Sequence, residues 1–124
     1  MNIIELLGLK TTLLSAEKTI VEVQVSEKLM QPFGIVHGGV NALLAETAAS
    51  LGANEALSST QVPVGVDIQT HHLRAVTKGT LITTAIPINI GHSLQVWSVN
   101  IKEENTGLLT STSTVTLKNQ NLNS

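Results

Sequence analysis

The feature that most constrains the fold is a long stretch of small apolar residues, from 39 to 57, that contains no proline. Alanine and leucine are strong helix formers, so this composition predicts a helix over the whole stretch. The apolar residues occur nearly all around the helical circumference, a pattern typical of a helix enclosed by other elements rather than one lying on a surface. The rest of the chain must therefore supply a layer that surrounds it.

A single acidic residue, Glu46, stands in the middle of this apolar stretch. Between residues 40 and 57 the only other charged residue is Glu55, near the predicted end of the helix. A carboxylate is costly to bury unless it is paired or hydrogen-bonded, so Glu46 is either a structural anchor or a group placed for chemistry. Ser50 follows four residues later and shares its face of the helix. The His-Gly-Gly sequence at 37–39 favours the chemical role.

The segments on either side of this helix have the alternating pattern of β-strands. Residues 19–26 place Val21, Val23 and Val25 on one face, which predicts a half-buried strand. After the helix, turns at 77–79, 91–93 and 105–107 separate four further strands, expected at 62–74, 80–90, 94–103 and 108–117. The first of these four is expected to place every second residue on one face: Val62, Val64, Val66, Ile68, Thr70 and His72.

The remaining segments complete a single domain spanning residues 1–124. A short helix within residues 1–10 is expected to end at Gly8, a shorter strand is expected at 12–15, and residues 31–36 form a loop. The polar residues 118–124 are predicted to form a frayed tail. The last four strands are expected to form an antiparallel meander that buries one face, and the helix is the element apolar enough to cover that face. The predicted fold class is therefore α+β, a hotdog fold in which an antiparallel sheet wraps around one long central helix.

Composition excludes several classes of protein. The net charge is −2 and the only aromatic residues are one Phe and one Trp, which argues against a nucleic-acid surface. There are no cysteines, so disulfide scaffolds and cysteine-based zinc sites are excluded. The first 14 residues lack the pattern of a signal peptide, and no apolar run reaches the roughly 18 residues of a membrane span. A cytoplasmic location is the expectation.

Several motifs together resemble the hotdog acyl-CoA thioesterases. The resemblance lies in residues 31–39, from Gln31 to the His-Gly-Gly, then in Leu-Ala-Glu at 44–46 and in Ser50. Residues 71–74 and 91–97 add to it, so that it covers roughly residues 20–117. It is strongest to the branch with a catalytic glutamate, the Arthrobacter-type 4-hydroxybenzoyl-CoA thioesterases and the 1,4-dihydroxy-2-naphthoyl-CoA hydrolases. The phenylacetate-type relatives usually carry Asp where this chain has Glu46.

Thioester hydrolysis gives each of these residues a candidate role. Gly38 opens the predicted helix, where a backbone N–H and the helix dipole stabilise a developing oxyanion. Glu46 is the candidate nucleophile or general base. Ser50 is placed to orient a water molecule. The resemblance implies that Gln31 and His37 bind and polarise the thioester carbonyl.

Helix geometry adds a prediction about assembly. Gly38 and Glu46 are eight residues apart, which along a helix is about 12 Å. A glutamate side chain does not bridge that distance to a carbonyl held at the Gly38 N–H. The two groups serve one thioester only if they belong to different subunits, which predicts a two-fold dimer. The family resemblance implies the same arrangement, with dimers often paired into tetramers.

The resemblance also implies where CoA binds. By position, the contacts to its nucleotide part fall on His72, Arg74, His92 and Ser93, and a guanidinium such as that of Arg74 suits phosphate. Phe33, with Val40 and Leu44, is a candidate lining of the acyl pocket. His71 and His72 are adjacent on a strand and point to opposite faces, so they are poor metal co-ligands and no metal is expected. No cofactor is expected either, because CoA is part of the substrate.

The leading function is hydrolysis of an aromatic acyl-CoA, with 1,4-dihydroxy-2-naphthoyl-CoA of menaquinone synthesis as the first candidate. Phenylacetyl or aliphatic acyl-CoA remain alternative substrates. A non-catalytic acyl-CoA-binding module is the alternative from a different class. A hotdog dehydratase or hydratase acting on acyl thioesters is a further alternative, although the histidine of those enzymes usually precedes Phe-Pro rather than Gly-Gly.

Overall fold

The structure, a computed structural model, describes residues 1–123 and combines one long helix with a six-stranded sheet. The short helix α1 spans Ile3–Leu7 and the long helix α2 spans Gly38–Glu55. The strands are β1 Lys10–Leu13, β2 Thr19–Gln24, β3 Gln61–His72, β4 Thr80–Ile90, β5 Leu94–Glu103 and β6 Leu109–Asn121. Neither helix of the described chain combines the length and hydropathy needed to cross a bilayer.

The sheet is antiparallel throughout, with the strand order β1-β2-β4-β5-β6-β3. Helix α2 packs against it and buries the face that carries Leu44, Ala48 and Ala49, all fully buried. The strands contribute fully buried side chains to the same core, such as Leu81 and Ile101. The predicted hotdog architecture is therefore confirmed.

A buried polar network fixes the C-terminal half of α2 to the sheet. Trp97 is fully buried, and its Nε1 donates to Oε1 of Gln95 at 2.9 Å. The Gln95 Nε2 donates to the backbone oxygen of Ala53 in α2, at 3.2 Å. Gly52 lets the helix approach this closely, because a Cβ built there would lie 2.6 Å from the Trp97 ring. These contacts hold the C-terminal half of α2 close to the sheet.

Two sequence-based expectations about the strands are wrong. The last four strands do not follow one another across the sheet, because β3 pairs with β6 and forms an edge. The predicted polar tail is partly strand, because β6 continues to Asn121 and pairs with the first residues of β3. Residues 118–121 pair with residues 61–64, so that β3 has a backbone partner from its first residue onward. Ser124, at the end of the predicted tail, lies outside the described residues.

A β-bulge also changes the faces of β3. The pairing register with β6 shifts between Gly65 and Asp67, which leaves Val66 as the extra residue. Gly65 pairs with Leu117 and Ile68 with Val115, so these two strand positions share the helix-facing side with Thr70 and His72. The unbroken alternation expected from the sequence is therefore wrong, and Val64 and Val66 remain exposed by 45% and 59%.

Candidate active site

The start of α2 presents one backbone donor that nothing else uses. His37 caps the helix, and its Nδ1 accepts from the backbone N–H of Gly39 at 2.8 Å. The N–H of Val40 donates to the His37 backbone oxygen. Within residues 1–123 the N–H of Gly38 has no acceptor. Since it also lies at the positive end of the helix dipole, it is suited to bind a developing negative charge.

The loop before the helix orients the side chain of Gln31. Its Oε1 accepts from the backbone N–H of Phe33, and its backbone accepts from Gly34, which has the left-handed φ of 80° that favours glycine. Because the amide oxygen is occupied, the Gln31 NH₂ group is left to donate to a ligand. Phe33 itself is 87% exposed.

A groove of about 310 Å³ brings together several of the predicted residues. It lies between the start of α2 and the end of β3, and its polar lining comprises Gln31, Gly38, Asn41, His72 and Arg74. Its remaining walls are apolar, including Ile35 and Val36. Three hydrogen-bond donors, from Gln31, Gly38 and Arg74, therefore border one space in which a thioester could sit.

Two further features of this groove differ from the expectation. Nη1 of Arg74 donates to the backbone oxygen of Leu109 at 2.7 Å, so part of the guanidinium is already engaged. Asn41 was not among the predicted site residues, yet it lines the groove and contacts His72. The available signal was its position, a polar residue one turn after Gly38 in an otherwise apolar stretch.

Glu46 and Ser50 lie elsewhere on α2. They border a second shallow groove of about 200 Å³, together with Ile4, Thr47 and Leu51, and the two grooves share no residue. Glu46 is exposed and, within the described chain, no group donates a hydrogen bond to its carboxylate. The carboxylate rests on the backbone of Gly65 in the edge strand. The composition of α2 predicts a helix enclosed on all sides, but Glu46 is exposed in the isolated chain, and within residues 1–123 it lacks the hydrogen bonds of a structural anchor.

The remaining predicted contacts lie apart from both grooves. His92 and Ser93 are exposed in the turn between β4 and β5, where their backbone oxygens accept from Asn119.

His71 and His72 fall on opposite faces of β3, as expected. Across residues 1–123 no group of three or more His, Asp or Glu side chains is arranged to hold a metal ion.

Comparisons with known proteins agree on one family. The family model of the thioesterase superfamily matches residues 33–110. The chain is similar to the 1,4-dihydroxy-2-naphthoyl-CoA hydrolase of Listeria monocytogenes, at 38% identity over 109 residues, 88% of this chain and 89% of that protein. It is also similar to 1,4-dihydroxy-2-naphthoyl-CoA thioesterase 2 of Arabidopsis thaliana, at 36% identity over 121 residues, 92% and 76% of the two chains.

Solved structures give the same result for the fold. A crystal structure of a thioesterase from Haemophilus influenzae superposes with a TM-score of 0.91 at 36% sequence identity. The superposition covers 96% of this chain and 82% of that one.

Proposed function

From the premise that this chain belongs to the thioesterase superfamily and is a thioester hydrolase, we propose that it hydrolyses an aromatic acyl-CoA to the free acid and CoA. The leading substrate is 1,4-dihydroxy-2-naphthoyl-CoA, which would place the reaction in menaquinone synthesis. The names of the Listeria and Arabidopsis relatives support this choice. CoA enters as part of the substrate and no cofactor takes part. The lack of cysteine fits a reducing cytoplasm.

The observation that carries the proposal is the unpaired N–H of Gly38 at the start of α2. When a nucleophile adds to the thioester carbon, negative charge develops on the carbonyl oxygen. The Gly38 N–H and the helix dipole stabilise that charge, an effect typically worth about 3–4 kcal/mol in the transition state. The Gln31 NH₂ group borders the same groove and donates to the same oxygen.

Glu46 supplies the attack on the thioester carbon. As a general base it takes a proton from water, the hydroxide adds to the carbon, and the C–S bond breaks as CoA leaves with a proton. As a nucleophile it adds to the thioester carbon, the C–S bond breaks and CoA leaves as the thiolate, and water then hydrolyses the resulting anhydride to the free acid and the Glu46 carboxylate. Both routes need a carboxylate without other partners, and Glu46 is one. Ser50, on the same face, orients the water.

One chain does not assemble this site, so we propose a two-fold dimer. Glu46 rests on Gly65 of β3, and β3 is an edge strand with an exposed Val64 and Val66. Such an edge offers unpaired backbone groups to another strand. A second copy bound here adds its own Gly38 and Gln31 opposite Glu46. Each dimer then holds two equivalent sites, and pairing of dimers into a tetramer leaves them intact.

Subunit complementation tests the shared site. Glu46→Ala and Gln31→Ala each remove one half of every site in a homodimer. When the two variants are unfolded, mixed and refolded together, random pairing makes half of the dimers mixed, and each mixed dimer keeps one intact site. Activity should recover to about a quarter of the wild-type value, relative to the separate variants. No recovery on mixing places both groups in one subunit.

Replacement of Gly38 tests the oxyanion donor. Proline is tolerated at the first position of a helix, and the His37 backbone, at φ −61° and ψ 133°, already has the conformation that precedes proline. Gly38→Pro removes the N–H, whereas Gly38→Ala keeps it and adds a comparable Cβ. We expect kcat to fall about 10²–10³-fold in Gly38→Pro and much less in Gly38→Ala. Equal losses would show crowding of His72 rather than loss of the donor.

A substrate panel separates the remaining candidates. Release of CoA thiol should be fastest from 1,4-dihydroxy-2-naphthoyl-CoA, compared with benzoyl-, phenylacetyl- and straight-chain acyl-CoA. A faster rate on phenylacetyl- or straight-chain acyl-CoA reassigns the acyl group. Tight CoA binding without thiol release from any member of the panel would favour the non-catalytic binding module.

A further inference from the structure

The start of α2 contains a polar pair that the proposed mechanism does not use. Asn41 lies one turn after Gly38 and is 6% exposed. Its Nδ2 lies 3.1 Å from Nδ1 of His72, which ends strand β3. The contact joins the helix to the edge strand at the groove that both residues line.

The orientation of the Asn41 amide bears on which nitrogen of His72 carries the proton. With its NH₂ group toward the ring, Asn41 donates to Nδ1 of His72, and a neutral imidazole then holds its proton on Nε2. The Cε1–Nε2 edge of the ring faces Gly38, since a Cβ built on Gly38 would lie 3.1 Å from both of these atoms. In this tautomer, the Nε2–H of His72 lies beside Gly38.

The pair also carries a cost in stability. Within residues 1–123, the buried Oδ1 of Asn41 has no hydrogen-bond partner. The same is true of Oγ of Ser111, which is the cross-strand partner of His72. Unpaired buried polar atoms destabilise a fold, and each one in a native protein requires an explanation such as a functional role. An apolar residue at position 41 would avoid this cost but would lose the contact with His72.

We infer that Asn41 is a positioning residue, which holds the His72 ring against Gly38 in the Nε2–H tautomer. The catalytic consequence rests on the proposed function, whereas the tautomer depends on no reaction. The inference moves His72 from the nucleotide part of CoA, where the family resemblance places it, to the thioester end of the groove. There its Nε2–H is a further donor beside those of Gly38 and Gln31.

The direct test is nitrogen NMR of the whole protein labelled with ¹⁵N-histidine, with His72 assigned by the signals lost in His72→Gln. We expect His72 of the wild type to be the Nε2–H tautomer. In Asn41→Asp the carboxylate accepts from Nδ1, so His72 should change to the Nδ1–H or the doubly protonated form. A wild-type His72 in the Nδ1–H form overturns the inference, and this measurement requires no variant at position 41.

Kinetics test the consequence for catalysis. Asn41→Leu should lower kcat about 10–100-fold, with a thermal midpoint equal to or above that of the wild type. His72→Gln keeps an N–H near the position of Nε2, and in that background Asn41→Leu should add little further loss. Unchanged kcat in Asn41→Leu, or fully additive losses, overturn the inference. A protein inactive on every thioester defeats the proposed function instead, and the NMR result still decides the tautomer.

Discussion

Two glutamates of this chain, Glu103 and Glu46, show opposite uses of a carboxylate. Glu103 is buried at the end of β5 and accepts from three backbone N–H groups, those of Thr80, Asn105 and Thr106. Glu46 is exposed and no group of the described chain donates to it. A structural anchor is an acid with its acceptor positions filled, and Glu103 fits that description. Glu46 does not, which favours chemistry at that position.

The two carboxylates nevertheless share one packing arrangement. Each rests on the backbone of a glycine, Glu46 on Gly65 and Glu103 on Gly79. A methyl group added to either glycine would collide with the carboxylate above it. The chain therefore offers matched substitutions that disturb one acid at a time, and the comparison predicts loss of activity in one case and loss of stability in the other.

The largest effect is expected from removing the charge of Glu46. Glu46→Gln should lower kcat about 10²–10⁴-fold and leave the thermal midpoint near the wild-type value, since within residues 1–123 the carboxylate makes no hydrogen bond. Glu55→Gln, at the exposed end of the same helix, is the control and should keep full activity. A Glu46→Gln protein with wild-type kcat would mean that the unpaired acid has no catalytic role.

Displacing the same carboxylate should have a smaller effect. Gly65→Ala needs no unusual backbone conformation, because Gly65 does not have a positive φ. Its methyl group pushes the flexible end of Glu46 aside, so we expect kcat to fall by about 10²-fold with little change in the free energy of unfolding. Steady-state kinetics and chemical denaturation measure the two quantities. A stable Gly65→Ala protein with wild-type kcat would show that the position of the Glu46 carboxylate against Gly65 does not matter for the reaction.

The matched change at Gly79 should act on stability alone. Gly79 has a φ of 99°, which favours glycine, and its neighbour Glu103 is held by the turn that follows β5. Gly79→Ala should reduce the free energy of unfolding by about 1–3 kcal/mol, with kcat per folded molecule unchanged. A loss of kcat without a loss of stability would reverse the expected contrast between the two glutamates.

The smallest effect is expected from the pH dependence of Glu103. The N–H of Asn105 lowers the pKa of this carboxyl below its ordinary value, against the opposing effect of burial, and the N–H groups of Thr106 and Thr80 lower it further. Its contribution to stability is fully present above the unfolded pKa of about 4.3 and is lost as the pH falls through the lower folded pKa. Glu103→Gln should flatten the acid limb of a plot of stability against pH. An unchanged acid limb excludes Glu103 as its source.

Much of the fold could be predicted because turn chemistry fixes the ends of strands. The limits of β4 and β5 agree with the sequence prediction, since Gly79 and Gly91 mark the turns before and after β4. The faces of the β3 side chains could not be predicted in the same way. Its bulge at Val66 leaves the alternation of the sequence intact while the side chains change faces, and only the pairing with β6 reveals it.

The candidate site shows a similar division. The donors at Gln31 and Gly38 follow from local chain geometry, and the structure brings both to one groove. The surroundings of Glu46 do not follow, because the composition of α2 suggests burial whereas the structure leaves Glu46 exposed. The contact of Asn41 with His72 could not be predicted either, because the two residues lie 31 positions apart in sequence.

The network around Trp97 also gives the chain an internal reporter. Trp97 is the sole tryptophan and there is no tyrosine, so near-ultraviolet emission comes from one indole. That indole is fully buried between α2 and the sheet and donates to Gln95. Separation of the helix from the sheet hydrates it and shifts its emission to longer wavelength. The fluorescence of the unmodified protein therefore follows the packing of the helix that carries Gly38 and Glu46.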